Sequence, residues 1–329
     1  LSTLNRQPQP QAAPGPLARA AKAEACGKAI IVGEHAVVYG ARAVAMPLLT
    51  MRMRMDLEPQ SGPAGPGSIR MQLGTKDVPE HLAGVVADAC DALGIAPFAM
   101  EIKAHSSVLI GAGLGSSASL CIAILRLLAR SHGIPLTPER LAQLGNRLER
   151  RFHGNPSGLD TAVVACEDVI SFVKGKAPEG VKVRLVPAGD GRGLPWRFAL
   201  IDTGVRSSTM AMIQIAASYF QAPEGRARLE RFDQLAATVV HGLAHGQLEP
   251  VAAAMNEAAM HLAAAGVVNT ELQAAINEAL GVGALAAKPT GSGGGGCALA
   301  LLDPHQAEAQ LAALRERLGT TRVHGVSLP

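Results

Sequence analysis

The chain has 329 residues, 48% of them hydrophobic and 17% charged, with a formal net charge of +3. That length fits about two domains at roughly 150 residues each, and so small a charge excess argues against a nucleic-acid surface. One Trp, two Tyr and six Phe leave few platforms for stacking bases, and no apolar run reaches the ~18 residues a membrane helix requires.

Residues 1–22, rich in Gln and Pro, read as a disordered tail. From about Cys26, CGKAIIVGEHAVVYG gives an apolar strand followed by a Gly-flanked loop. TMRMRMDLE alternates Met51, Met53, Met55 and Leu57 against Arg52, Arg54, Asp56 and Glu58, the period of a half-buried strand. After the break SGPAGPGS, SIRMQL resumes the alternation and is expected to be an antiparallel neighbour. A helix over about 79–93 and a strand, FAMEIKA, come next. The loop GAGLGSSAS then runs straight into a helix over 116–132, stopped by Gly133 and Pro135. TPERLAQLGNRLERRF predicts a helix capped by Thr137 with Pro138 at its first position, and DVISFV and VKVRLV read as strands. Glycines cluster again over 189–195, the expected boundary between domains at 23–190 and 191–329.

The second half opens on a strand, RFALIDT, followed by alanine-rich helices near 207–220, 228–245, 248–265 and 270–280. The strand CALALL, the helix HQAEAQLAALRERL and a last strand, TRVHGVSL, complete it. This mixture predicts two α+β domains. The Ala/Val-rich face of helix 228–245 reads as core rather than interface, and a homodimer is compatible with the chain. Cys26, Cys90, Cys121, Cys166 and Cys297 stand far apart without metal-ligand spacing, so reduced, buried thiols in a cytoplasmic protein are expected rather than a disulfide framework.

Three glycine-bearing stretches carry the chemistry. In GAGLGSSAS, Gly111, Gly113 and Gly115 stand just ahead of a helix. A helix amino terminus offers unpaired N–H groups and about half a positive charge. Glycines would let a phosphate approach that backbone, while Ser116 and Ser117 add hydroxyls as caps or as Mg²⁺ or phosphate ligands. No Gly-Lys-Ser/Thr ends the loop, so it is not a Walker A motif; the alternative is a tight turn with a serine cap. GSGGGGC, residues 291–297, suggests backbone packed against a ligand or against another backbone. In RLERRFHGNPSGLD, Glu149 closes one helix and Asp160 falls in the first turn of the next, with Ser157 as its expected cap. Two carboxylates around a tight turn suit a metal ligand and a base; the alternative for Glu149 is a surface ion pair with Arg150 or Arg151. Lys28, Glu34 and His35 gather on GKAIIVGEH.

GKAIIVGEHAVVYG, GAGLGSSAS, HGNPSGLD and KPTGSGGGGC occur here in the order seen in the GHMP kinases. From about Cys26 to its end the chain resembles the mevalonate kinase branch of that superfamily. The resemblance implies an amino-terminal domain like the second domain of ribosomal protein S5 and a ferredoxin-like carboxy-terminal domain. ATP would lie between them, with mevalonate, phosphorylated on its primary hydroxyl, as acceptor. By the same resemblance Gly111, Ala112, Gly113, Leu114, Gly115, Ser116 and Ser117 would hold the triphosphate, with Ser106 near the nucleotide. Ser117 and Glu149 would bind Mg²⁺, and Asp160 would take the hydroxyl proton beside Lys28. Glu34, His35 and Thr203 would contact the acceptor, and Gly291, Ser292, Gly293, Gly294, Gly295 and Gly296 would line the cleft. Cys26 and Leu109 stand where the family has prolines, and LLTMRM lacks an asparagine near the nucleotide base. The alternatives are a sister kinase acting on phosphomevalonate or on mevalonate's tertiary hydroxyl, and a catalytically silent nucleotide-binding regulator. Arg206 is the one spare cation expected near the cleft, which favours an unphosphorylated acceptor. The presence of Lys28, Glu149 and Asp160 weighs against a silent protein.

Overall fold

Strand formation begins five residues ahead of Cys26. In the computed structural model, which describes residues 18–62, 68–78, 80–176, 180–189 and 193–328, β1 spans Ala21–Val32. Ala21 and Lys22 therefore belong to the sheet, and residues 1–17 of the stretch read as a tail lie outside the described residues. A short 3-10 turn at Ala36–Tyr39 leads into β2 (Ala43–Pro59), antiparallel to β1. The alternation in β2 is obeyed: Met51, Met53, Met55 and Leu57 are buried, and Arg54, Asp56 and Glu58 are exposed.

β3 (Ile69–Leu73) forms where the alternation predicts a strand but is not a neighbour of β2. It pairs with the two-residue β4 (Lys76–Asp77). After helix α1 (Glu80–Leu93) the chain returns as β5 (Met100–Ser106), which lies between β2 and β3 and runs parallel to β3. Parallel neighbours need a long crossover, and α1 provides it. Helices α2 (Ser116–His132), α3 (Pro138–His153) and α4 (Leu159–Cys166) follow, then β6 (Ile170–Phe172) and β7 (Gly180–Lys182). The strand predicted at VKVRLV extends only to Lys182. The first sheet has the order β4-β3-β5-β2-β6-β7, with β1 also paired to β2. α2 is apolar on nearly every face and is buried accordingly. Thr137 caps α3 by accepting a hydrogen bond from the Arg140 amide, with Pro138 at the first position as expected.

The second sheet is antiparallel throughout. β8 (Trp196–Asp202) is followed by α5 (Thr209–Phe220), α6 (Gly225–His245), α7 (Leu248–Ala264) and α8 (Thr270–Gly281). Then come β9 (Ala286–Thr290), β10 (Cys297–Leu302), α9 (Ala307–Leu318) and β11 (Val323–Leu328), in the ferredoxin-like order β11-β8-β10-β9. Sequence patterning did not anticipate β9. Phe198 and Leu200 pack with α6 and α7, whereas Ala199 and Ile201 pack with α8 and α9. Burial on both faces is why RFALIDT reads as an unbroken apolar run. The predicted core face of α6 is core: Phe232, Leu235, Ala236, Val239 and Leu243 are buried. The same apolar cluster reaches Ile31, Leu48 and Leu114, so one core runs across both sheets. Four of the five cysteines are buried and all are free.

Candidate active site

The segment from Gly111 to Gly115 is tied to β1 by one residue. The Lys28 amide donates to the Leu114 carbonyl at 3.0 Å, and its Nζ donates to the Gly113 carbonyl at 3.1 Å. Gly115 occupies the N-cap position of α2 in the left-handed region (φ 72), and no side chain caps the helix. Ser116 and Ser117 are thus not caps, and α2 begins without a side-chain cap. A Cβ on Gly115 would lie 2.8 Å from Lys28 Cγ, and one on Gly113 would lie 2.8 Å from the Thr290 carbonyl. A Cβ on Gly291 would meet Gly113 Cα at 2.6 Å, so the two glycine loops touch backbone to backbone. That contact is the backbone packing that GSGGGGC suggests as one alternative. Gly293, Gly294, Gly295 and Gly296 are wedged against Val267, Met212, Val205 and Ala112 respectively. Of the loop, Gly291 and Ser292 reach the cavity.

The two carboxylates arrive from α3 and α4. Glu149 is only 2% exposed, and Ser117 Oγ donates to its Oε1 at 2.9 Å. Burial first, and the neighbouring charge of Asp160 second, push the Glu149 carboxyl up to about 8. The alternative of a surface ion pair fails, because Glu149 is buried and Arg151 pairs with Asp88 instead. Gly158, in the left-handed region, is the N-cap of α4; Ser157 Oγ accepts from the Leu159 amide at 3.2 Å without capping the helix. Asp160 sits in the first turn and pairs with Lys28, Nζ to Oδ2 3.1 Å. His153, missed by sequence reasoning, brings Nε2 to 3.1 Å from Ser117 Oγ. It lies four residues after Glu149 on the same helix face, which is the signal that marks it.

These groups enclose a cavity of about 390 Å³. It is lined by Lys28, Gly111, Gly113, Gly115, Ser116, Ser117, Glu149 and Asp160 on one side, and by His35, Gly291 and Ser292 on the other. Ile30, Val37, Val38 and Ile213 supply an apolar wall. Ala112 and Leu114 belong to the loop but do not line the cavity, and neither does Ser106, whose hydroxyl donates to the Val108 carbonyl at 2.9 Å. Thr203 also stands back: its hydroxyl donates to the Gly296 carbonyl at 2.8 Å and so braces the second glycine loop. Thr209, at the start of α5, lines the cavity instead, 3.4 Å from the Ser292 hydroxyl. Arg206 is not a spare cation. It makes two hydrogen bonds to Asp202, at 2.6 and 2.8 Å, and a third to the Ile110 carbonyl at 3.1 Å.

His35 and Glu34 share a loop but not an environment. His35 adopts a φ of 58 and its Nε2 lies 2.9 Å from the Ser292 carbonyl. A carbonyl can only accept, so Nε2 carries the proton. Burial lowers the His35 pKa, partly opposed by this hydrogen bond. Glu34 is sealed away from the cavity in an ion pair with Lys288. Burial pushes the Glu34 carboxyl up and the Lys288 ammonium down, each opposed by the charge of the other.

Residues 80–168 match the sequence profile of the GHMP kinases N terminal domain, and residues 239–320 match that of the GHMP kinases C terminal domain. The chain is 30% identical over 282 residues to a mevalonate kinase of Archaeoglobus fulgidus, covering 85% of this chain and 91% of that one. It is 29% identical over 313 residues to a mevalonate kinase of Aeropyrum pernix, covering 91% and 93%. The fold is shared with an L. major mevalonate kinase solved in complex with R-mevalonate, at a TM-score of 0.79 and 21% identity over 97% of this chain and 98% of that one. With both domain profiles in chain order and relatives of this similarity across most of its length, the chain belongs to the mevalonate kinase family of the GHMP kinases.

Proposed function

We propose that the protein transfers the γ-phosphoryl group of ATP to the primary hydroxyl of mevalonate, giving 5-phosphomevalonate and ADP on the route to isoprenoids. One observation carries this reading: an uncapped helix amino terminus opens into the same cavity as the Lys28–Asp160 pair and Glu149. The names of the relatives, and the R-mevalonate in the L. major structure, support the choice of acceptor.

Phosphoryl transfer requires positioning and charge neutralisation more than covalent chemistry. The amides from Gly111 to Ser117 and the α2 dipole receive the triphosphate. Ser117 and Glu149 fit Mg²⁺: they are adjacent oxygen donors, one a carboxylate raised by burial and by the neighbouring charge of Asp160, and Mg²⁺ is commonly held by one or two such groups plus phosphates. When bound, the ion neutralises phosphate charge. Asp160 accepts the hydroxyl proton as the new O–P bond forms and the bond to the ADP oxygen breaks, while Lys28 steadies the developing alkoxide. His35, Thr209 and Ser292 provide polar contacts to the acceptor, and Ile30, Val37, Val38 and Ile213 face its carbon skeleton. Glu34 and Thr203 act on it indirectly, through the loops they hold.

An acceptor already bearing a phosphate needs a free cation. Among the lining residues the cationic side chains are Lys28, already paired with Asp160, and two histidines, His35 and His153, whose pKa values burial lowers. The test is an ADP-release assay with mevalonate and phosphomevalonate side by side. We expect kcat/KM to favour mevalonate by about tenfold or more. Equal or better turnover of phosphomevalonate overturns the reading, and ATP binding without transfer to either acceptor restores the regulator.

A further inference from the structure

We infer that Lys288 is a positioning residue: through a sealed ion pair with Glu34 it fixes the loop that presents His35 to the cavity, and neither member of the pair touches substrate. This rests on the acceptor reading above and deepens it at the same site.

Among the described residues no other ion pair has both side chains wholly buried. An ammonium without water must place three N–H donors. Nζ of Lys288 places them on Glu34 Oε1, on the Pro289 carbonyl at 2.6 Å and on the Ile30 carbonyl at 3.4 Å. No donor is left for a ligand. Such a pair is seldom more stable than apolar residues of the same volume, although removing one partner is strongly destabilising. Stability alone therefore does not account for it.

What the pair does set is register between the two sheets. Lys288 and Thr290 stand two apart on β9, on one face of the strand, and Ser292 follows two residues later. The Thr290 hydroxyl accepts from the Ile30 amide at 2.8 Å, and the Ser292 carbonyl accepts from His35 at 2.9 Å. Along β9 and the residues just after it, Lys288 thus meets Glu34 and the Ile30 carbonyl, Thr290 meets Ile30 and Ser292 meets His35, directly beside the contact of Gly291 with Gly113. His35 holds a left-handed backbone conformation, which a residue with a side chain keeps only when its surroundings impose it. Glu34 is the preceding residue: its carbonyl accepts from the Ala36 amide at 2.6 Å to close the turn, and its carboxylate is anchored by Lys288. Its second oxygen, Oε2, has no hydrogen-bond partner.

The test compares Glu34→Gln, Lys288→Met and the double variant. Each single change strands one buried charge and should lower Tm by roughly 10 °C. The double variant, with no stranded charge, should regain at least about half of that loss. It should nonetheless keep a KM for mevalonate raised about tenfold, with the KM for ATP within about twofold of wild type. In proton–nitrogen correlation spectra of the substrate-free protein, its His35 ring signals should be displaced. A double variant with recovered Tm, wild-type KM and unmoved His35 signals makes the pair merely structural and overturns the inference. If wild-type protein does not phosphorylate mevalonate, the acceptor reading fails on its own, and the ring signals then decide: displaced, they uphold Lys288 as positioning His35; unmoved, they remove it. Glu34→Asp, which keeps both charges and shortens the reach by one methylene, gives the same readout should the double variant not fold.

Discussion

Lys28 and Lys288 are both buried and both face a carboxylate, yet their surroundings give them opposite tasks. Asp160 keeps 29% of its side chain open to the cavity beside a Lys28 that is 3% exposed. Glu34 and Lys288 have no exposed side chain at all. A pair open on one side can exchange its partner for a substrate oxygen; a pair closed on every side can only hold its neighbours still. The composition of an ion pair therefore says little about its role, and access decides.

Four variants break or sharpen that contrast. Asp160→Asn should lower kcat by about a hundredfold or more with ATP affinity and Tm little changed, the reverse of the stability loss expected at the sealed pair. Steady-state kinetics with near-wild-type turnover would erase the distinction. Glu149→Gln should raise the Mg²⁺ concentration for half-maximal rate by about tenfold, read from metal titrations at saturating ATP; superimposable titration curves remove Glu149 as a ligand. Gly115→Ala puts a Cβ into the left-handed N-cap and 2.8 Å from Lys28 Cγ. Such strain costs about 1–3 kcal/mol. It should appear as a lower Tm together with reduced kcat, because Lys28 must move; a Tm loss with unchanged kcat would separate the loop from the lysine.

The smallest effect is at Arg206→Gln, at most about 1 kcal/mol because the guanidinium is partly exposed. Burial, the largest single influence, would raise the Asp202 carboxyl, but the Arg206 hydrogen bonds, the Gly204 amide and the charges of Arg206 and Arg322 together outweigh it and hold the pKa below the usual value. A depressed carboxyl contributes stability above its unfolded pKa of about 4 and loses it as pH falls through the lower folded value. The Tm difference between wild type and Arg206→Gln should therefore be full at neutral pH and shrink in acid. A gap that is constant across that range would assign the effect to the Ile110 contact instead.

Local punctuation made much of this site legible. The Gly-Ser junction sets α2 to the residues expected, Ser116–His132, and Thr137 with Pro138 starts α3. Long-range pairing was not legible. Alternation in SIRMQL gives the strand its two faces but not its partner, and the partner is β5. Lys-Pro-Thr looks like a turn, yet β9 is an edge strand, where a proline is tolerated. Glu34 and Lys288 are 254 residues apart, so nothing local marks either as sealed. Thr203 and Thr209 flank one short turn, and only the start of α5 decides that the second faces the cavity.

Lys28 joins its own amide to Leu114 and its ammonium to both Gly113 and Asp160. Under the proposed roles, the phosphate cradle and the group that prepares the attacking alcohol hang from a single pivot, so a displacement of Lys28 would shift both together. A re-engineered cradle, grafted to change nucleotide preference, would have to bring its stretch of β1 along, or the two reactants would drift out of line.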